Sequence, residues 1–109
     1  RTPKETKLML ANAEEIQDAG ASIGLLECVT EDLAADISSK LDIPVIGIGA
    51  GAGTDAQVLV LHDLLGLTEK PAKFVENFMT SADTVQDAIS AFVNAVKDGS
   101  YPQAQHTYR

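Results

Sequence analysis

Apolar residues fall along this chain in two patterns. Short, nearly unbroken runs, residues 21–27 ending in Leu25-Leu26-Glu27 and then Pro44-Val45-Ile46-Gly47-Ile48, read as buried strands. Longer stretches with apolar residues three and four apart read as amphipathic helices. Thr2-Pro3-Lys4-Glu5 is a helix start, with Thr2 as N-cap, Pro3 at the first helical position and Glu5 closing a capping box. The spacing carries that helix to Ala19, with Leu8, Ala11, Glu15 and Ala19 on one stripe, Ile16 beside it and Gly20 as the stop. Thr30 is placed to cap a second helix. Glu31 and Asp32 suit its positive end, and Leu33, Ile37 and Leu41 form its buried stripe. Asp42-Ile43-Pro44 ends it, because the residue before proline avoids the helical region.

Gln57-Val58-Leu59-Val60-Leu61 has the composition of a strand. Pairing it in parallel with the strand ending at Ile48 requires a crossover of roughly a dozen residues, usually helical. Only the glycine-rich stretch Gly49-Ala50-Gly51-Ala52-Gly53 is available. Residues 56–65 are therefore expected to be helical, with Asp55 as N-cap, Val58, Leu61 and Leu65 on one face and Gly66 as terminator. Residues 73–76 form a last short strand in this reading. Residues 84–97 form a last helix, with Val85, Ala88, Ile89, Phe92 and Val96 inward and Gly99 at its end. Residues 100–109 remain as a polar tail.

Helices alternating with strands imply an α/β domain with a parallel sheet. So few strands do not close a barrel and would leave bare edges and an uncovered inner face. The 109 residues therefore read as one part of a larger barrel domain, and a start at Arg1 rather than Met fits an excised or processed segment. The formal net charge of −8, with eight dispersed basic residues, excludes a nucleic-acid surface, which needs clustered Lys and Arg. No apolar stretch approaches the roughly 20 residues that cross a bilayer, and no signal peptide is visible. The one cysteine, Cys28, is expected as a small buried hydrophobe, and a reducing, cytoplasmic setting is the simplest expectation.

In α/β barrels catalytic groups gather at the carboxyl ends of the strands. Glu27 stands at such an end. A carboxylate there can act as a general base, although a structural ion pair produces the same pattern. Gly47-Ile48-Gly49-Ala50-Gly51-Ala52 formally matches a dinucleotide fingerprint but lacks the acid that should end the following strand. Small residues at Gly47, Gly49 and Gly51 would let substrate or cofactor approach the backbone, or would simply make a tight loop. His62 and Asp63 are helix neighbours and do not face each other. Asp55 reads as a cap and His106 as a solvated tail residue.

Taken together, Leu26-Glu27-Cys28-Val29, the run from Ile43 through Gly51, and Asp55-x-Gln57-Val58-Leu59-Val60-Leu61-His62-Asp63-x-x-Gly66 resemble ketopantoate hydroxymethyltransferases. Lys73-Phe74-Val75 and Ser100-Tyr101-Pro102-x-x-x-His106 continue the likeness over essentially the whole chain. Thr30 stands where the family often has proline, Ala56 where it usually has glycine, and the tail lacks a second histidine.

The resemblance implies the C-terminal portion, residues 1–109, of a TIM-type (β/α)8 barrel of the phosphoenolpyruvate/pyruvate class, with the N-terminal half absent. It implies transfer of a hydroxymethyl group from 5,10-methylenetetrahydrofolate to 3-methyl-2-oxobutanoate, forming 2-dehydropantoate in pantothenate biosynthesis. Mg²⁺ would bind the 2-oxo acid through ligands in the missing half, none lying in this segment, and Glu27 would accept the proton. A homo-oligomer is also expected. Another 2-oxo-acid lyase of the same barrel class, and a non-catalytic half-barrel, are the alternatives.

Overall fold

The computed structural model describes residues 2–109. Helix α1 (Pro3–Asp18) opens with the expected capping box: the Thr2 hydroxyl accepts from the Glu5 N–H at 3.1 Å, and the Glu5 carboxylate accepts from the Thr2 N–H at 3.1 Å. The stripe assigned to it is turned outward. Leu8 and Ile16 are more than half exposed, and Met9, Leu10 and Ala13 pack inward instead. Apolar residues occur on more than one side of α1, so its orientation is decided by its neighbours rather than by its own periodicity.

Strand β1 (Gly24–Glu27), helix α2 (Glu31–Lys40) and strand β2 (Val45–Ile48) follow the expected order. Leu33 and Ile37 of α2 are buried with Val29, Ala34 and Ala50, and Leu41 packs at the margin. Thr30 occupies the cap position without making a side-chain cap bond. The first N–H of α2, that of Glu31, is satisfied from far along the chain by the Tyr108 carbonyl at 2.9 Å.

The expected helix over residues 56–65 is replaced by a two-residue strand, β3 (Ala56–Gln57), and a single helical turn, α3 (Leu61–Leu64). β3 pairs in parallel with β2, Ile46 opposite Ala56 and Gly47 opposite Gln57, giving the sheet order β1-β2-β3. The connection that seemed too short succeeds because it is not a helix. Residues 49–55 run back along the sheet pressed against α2: a Cβ on Gly51 would lie 2.5 Å from Cβ of Glu31, and one on Gly53 would lie 2.6 Å from Cβ of Ala35. Glycine lets the backbone lie flat where a helix has no room. Asp55 caps no helix. Its carboxylate accepts from the Val45 N–H at 2.8 Å, and its own N–H donates to the Val45 carbonyl at 2.9 Å, fixing the return to the start of β2.

Residues 73–76 are a turn rather than a strand, and the Val75 N–H donates to the Ala72 carbonyl. Phe74 is drawn into the core beneath Gly49, which takes its backbone out of any ladder. The last helix, α4 (Val85–Asp98), starts where expected, with the Thr84 hydroxyl accepting from the Asp87 N–H, and ends at Gly99 in the left-handed region. Ala88, Phe92 and Val96 face inward as expected. Val85 and Ile89 do not, being 51% and 40% exposed, because the stripe that meets the aromatic cluster is made by Ala88, Ala91, Phe92, Ala95 and Val96.

The largest departure is residues 100–109. Tyr101, His106 and Thr107 are buried, and a 3₁₀ turn (Ala104–His106) folds the segment back onto the domain. The Tyr101 ring meets Phe78 edge-on at 5.5 Å and His106 at 4.9 Å, and its hydroxyl donates to the Phe74 carbonyl. His106 accepts from the Gln103 N–H through Nδ1 and turns Nε2 toward Glu76 at 3.7 Å. A polar composition concealed three residues with aromatic or imidazole rings, Tyr101, His106 and Tyr108, and one hydrogen-bonded threonine.

Burial, with Glu76 nearby, pushes the Tyr101 phenol far above its ordinary range. Its stabilising contribution is complete below the unfolded tyrosine value, about pH 10, and is lost as pH rises from there toward the folded value. Tyr101→Phe removes the donor from a buried carbonyl and is expected to lower unfolding free energy by about 1–3 kcal/mol in urea titrations. The variant should also show a smaller loss of stability above about pH 10 than the native chain.

Candidate active site

The parallel register decides which side chains share a face. Pairing of Gly24 with Val45 through Glu27 with Ile48 puts Leu25, Ile46, Glu27 and Ile48 on one side, and Leu26 on the other, against α1 and α2. Leu25 is 57% exposed, so the side carrying Glu27 is uncovered along β1. Glu27 is the last residue of β1, exposed, and its carboxylate has no hydrogen-bond or ion-pair partner among the described residues. A carboxylate at the carboxyl end of a parallel strand, free of structural partners, is available to take a proton.

Cys28 does not simply continue the strand. Its φ is +55°, the left-handed region, where it is the one non-glycine among the described residues. Its N–H still donates to the Ile48 carbonyl at 2.9 Å. The thiol is half-buried against the aromatic cluster and hydrogen-bonds with Tyr108. The Tyr108 phenol is held above its usual range, first by burial and then by the Cys28 sulfur. The expected small buried hydrophobe is thus a half-buried, hydrogen-bonded residue at a turn.

The three glycines of the strand-end loop are buried, and each lies against protein. A Cβ on Gly47 would meet the Thr54 hydroxyl at 2.7 Å, one on Gly49 the Phe74 ring at 2.7 Å, and one on Gly51 the Glu31 side chain at 2.5 Å. Gly49 and Gly51 also have φ of +65° and +80°. Packing and turn geometry account for all three, whatever approaches their amides.

Several groups at this end were not singled out from the sequence. Lys73 Nζ lies 5.0 Å from the centre of the Tyr108 ring, and Arg109 Nε lies 3.5 Å from Glu31 Oε1. The signal that could have found them was the pair of tyrosines in a segment otherwise read as tail. His62 is exposed on α3, and Asp63 accepts from the Thr68 hydroxyl, so the two do not form a pair. A cavity of about 370 Å³ beside α1, lined by Leu8, Met9, Asn12 and Leu33, does not include Glu27. No helix among the described residues is long and apolar enough to cross a membrane.

The glycine loop gives a direct measurement. Gly49→Ala combines a left-handed backbone with a clash against Phe74, and is expected to destabilise the chain by about 2–4 kcal/mol. Gly20→Ala, at φ +105° with open space around it, should carry only the backbone penalty of about 1 kcal/mol. Equal losses at the two positions in thermal unfolding would remove Phe74 from the account.

Comparison with known proteins gives the family. The profile of the family described as ketopantoate hydroxymethyltransferase matches residues 1–104. The chain is 49% identical over 110 residues to 3-methyl-2-oxobutanoate hydroxymethyltransferase of Pseudomonas fluorescens, covering 99% of this chain and 41% of that protein. It is 52% identical over 101 residues to the protein of the same name from Xylella fastidiosa, covering 90% of this chain and 37% of the relative. With the protein so named from Marinobacter nauticus it shares 48% identity over 111 residues, covering 100% of this chain and 42% of the relative. The chain thus spans about two fifths of the length of these curated relatives. On the match across residues 1–104, it belongs to the ketopantoate hydroxymethyltransferase family, a family of enzymes.

Proposed function

We propose that this chain is the C-terminal portion of a (β/α)8 barrel, of the phosphoenolpyruvate/pyruvate class, that transfers a hydroxymethyl group from 5,10-methylenetetrahydrofolate to 3-methyl-2-oxobutanoate and so forms 2-dehydropantoate for pantothenate synthesis. The observation that carries the reading is Glu27. It stands at the carboxyl end of a parallel strand, on the uncovered face, in a chain that matches the family from residue 1 to residue 104. The acceptor is named in the relatives' own title, 3-methyl-2-oxobutanoate. The folate donor, the pathway, a cytoplasmic setting and a homo-oligomeric state belong to the same proposal.

The chemistry asked of Glu27 is modest. Its carboxylate takes the proton from C3 of the 2-oxo acid, whose enolate is stabilised by the adjacent carbonyl. The methylene carbon exchanges its two bonds to carrier nitrogens for one to C3 and one to a water oxygen, and the protons released from C3 and from water end on those two nitrogens. Leu25 and Ile46, apolar neighbours on the same face, would keep the carboxylate poorly hydrated once that face is covered. Backbone amides of the loop at Gly47, Gly49 and Gly51 are the second proposed contribution, an approach surface for substrate or cofactor at the end of β2.

Mg²⁺ requires oxygen ligands in near-octahedral array, commonly one or two carboxylates plus substrate oxygens. Among the described residues no three His, Cys, Asp or Glu side chains converge on one point. In this proposal the Mg²⁺ ligands come from the part of the relatives that this chain does not span.

In a barrel completed to the relatives' length, Glu27→Gln should lower kcat by roughly 10²–10⁴ with little change in substrate binding. Retention of near-native turnover would remove Glu27 from the mechanism. Tetrahydrofolate-dependent exchange of the C3 hydrogen of 3-methyl-2-oxobutanoate separates this reaction from that of a lyase. Calorimetric titration of the 109-residue chain alone with Mg²⁺ and 3-methyl-2-oxobutanoate should show no stoichiometric binding. Stoichiometric binding would place the metal ligands in this chain.

A further inference from the structure

We propose that Tyr108 is the positioning residue for Glu27, gripping both ends of the turn that joins β1 to α2. The inference rests on the reading of Glu27 as the base. Because the Glu27 carboxylate has no protein partner among the described residues, its direction is set by its own backbone and by that of Cys28. Cys28 holds a φ of +55°, a conformation that costs a non-glycine residue roughly 1–2 kcal/mol and persists only where the surroundings over-determine it.

Three contacts do so. The Cys28 N–H is held by the Ile48 carbonyl, the Cys28 thiol hydrogen-bonds with the Tyr108 side chain, and the Tyr108 carbonyl accepts from the Glu31 N–H at 2.9 Å. One distant residue thus touches the turn at Cys28 through its side chain and at Glu31 through its backbone. The Tyr108 ring is itself held, with the Lys73 ammonium 5.0 Å from its centre, and the preceding residues His106 and Thr107 are buried. If the side-chain grip is released, Cys28 can relax toward an ordinary strand conformation, which redirects Glu27 without altering any group that contacts substrate.

The test uses the protein completed to the relatives' length. Tyr108→Phe keeps the ring, the Lys73 contact and the backbone acceptor while deleting only the hydroxyl. Cys28→Ala deletes the other half of the same bond. Displacing a reacting group by about 1 Å costs up to roughly 10²-fold in rate. Each variant is therefore expected to lower kcat by about 10- to 100-fold with KM within about twofold. The double variant should be no worse than either single one, because both remove one interaction. Circular dichroism and thermal unfolding of each variant accompany the kinetics. Cys28→Gly, which tolerates the positive φ without help, should make kcat insensitive to Tyr108→Phe.

Full kcat in Tyr108→Phe, or additive losses in the double variant, would overturn the grip while leaving Glu27 as base. Full kcat in Glu27→Gln would overturn both. A loss confined to KM would make Tyr108 a binding residue and overturn positioning.

Discussion

The close approach of residues 49–55 to helix α2 is the constraint on which the rest of this structure depends. A parallel neighbour for β2 requires the chain to travel back the length of the strand, and the usual vehicle is a helix. Here the return is a nearly flat backbone, possible because Gly51 and Gly53 lie against the side chains of Glu31 and Ala35 with no room for a Cβ. Asp55 then ties the end of the return to Val45, so that β3 falls into register with β2. The same loop places Gly49 over Phe74, and Phe74 anchors Tyr101 through its carbonyl. The aromatic cluster of Phe74, Phe78, Phe92 and Tyr101 and the short sheet are therefore consequences of one packing arrangement rather than separate features.

That arrangement also explains why the strand ends are crowded from one side and open on the other. The helix side is filled by α2, the glycine return and the cluster around Leu33 and Ile37. The other side carries Leu25 and Glu27 in the open. Segment 100–109 packs on the aromatic cluster that buries Ile48, with the Tyr101 ring between Phe78 and His106 and the Tyr108 carbonyl completing the first turn of α2. Helix α2 begins without a side-chain cap from Thr30, so an N–H that water or a hydroxyl would otherwise satisfy is committed to the end of the chain. Local structure at the strand end and the path of the last residues are thereby coupled.

What could be read from the sequence divides along the same line. The capping box at Thr2, strands β1 and β2, the buried stripe of α2, and α4 with its Thr84 cap and Gly99 terminus are set by neighbours a few residues apart, and pattern reasoning finds them. Glu27 at the end of β1 was legible for the same reason. The glycine return was not, because its stability comes from contact with α2 and not from its own composition. Residues 73–76 have strand-like composition, yet Phe74 is worth more in the aromatic core than in a ladder. The tail was misjudged because polar content was weighed and its rings were not. Which face of α1 turns inward is likewise a tertiary matter, and Leu8 and Ile16 show that periodicity supplies a stripe without saying what covers it.

The exposed apolar residues carry the remaining information. Ile23 and Leu25 on and before β1, Leu8 and Ile16 on α1, and Val85, Ile89 and Val93 at four-residue intervals on α4 are each between about two fifths and two thirds exposed. Scattered singly they would mean little. Here they lie on the uncovered sheet face and along helix stripes, beside outer edges of β1 and β3 that no described strand pairs. The curated relatives are more than twice the length of this chain, so the comparison supplies enough polypeptide to cover these surfaces. Covering the face that bears Leu25 would also remove water from around Glu27. The surface that leaves the sheet incomplete is the same one on which the proposed base depends, which ties completion of the fold to the onset of the chemistry.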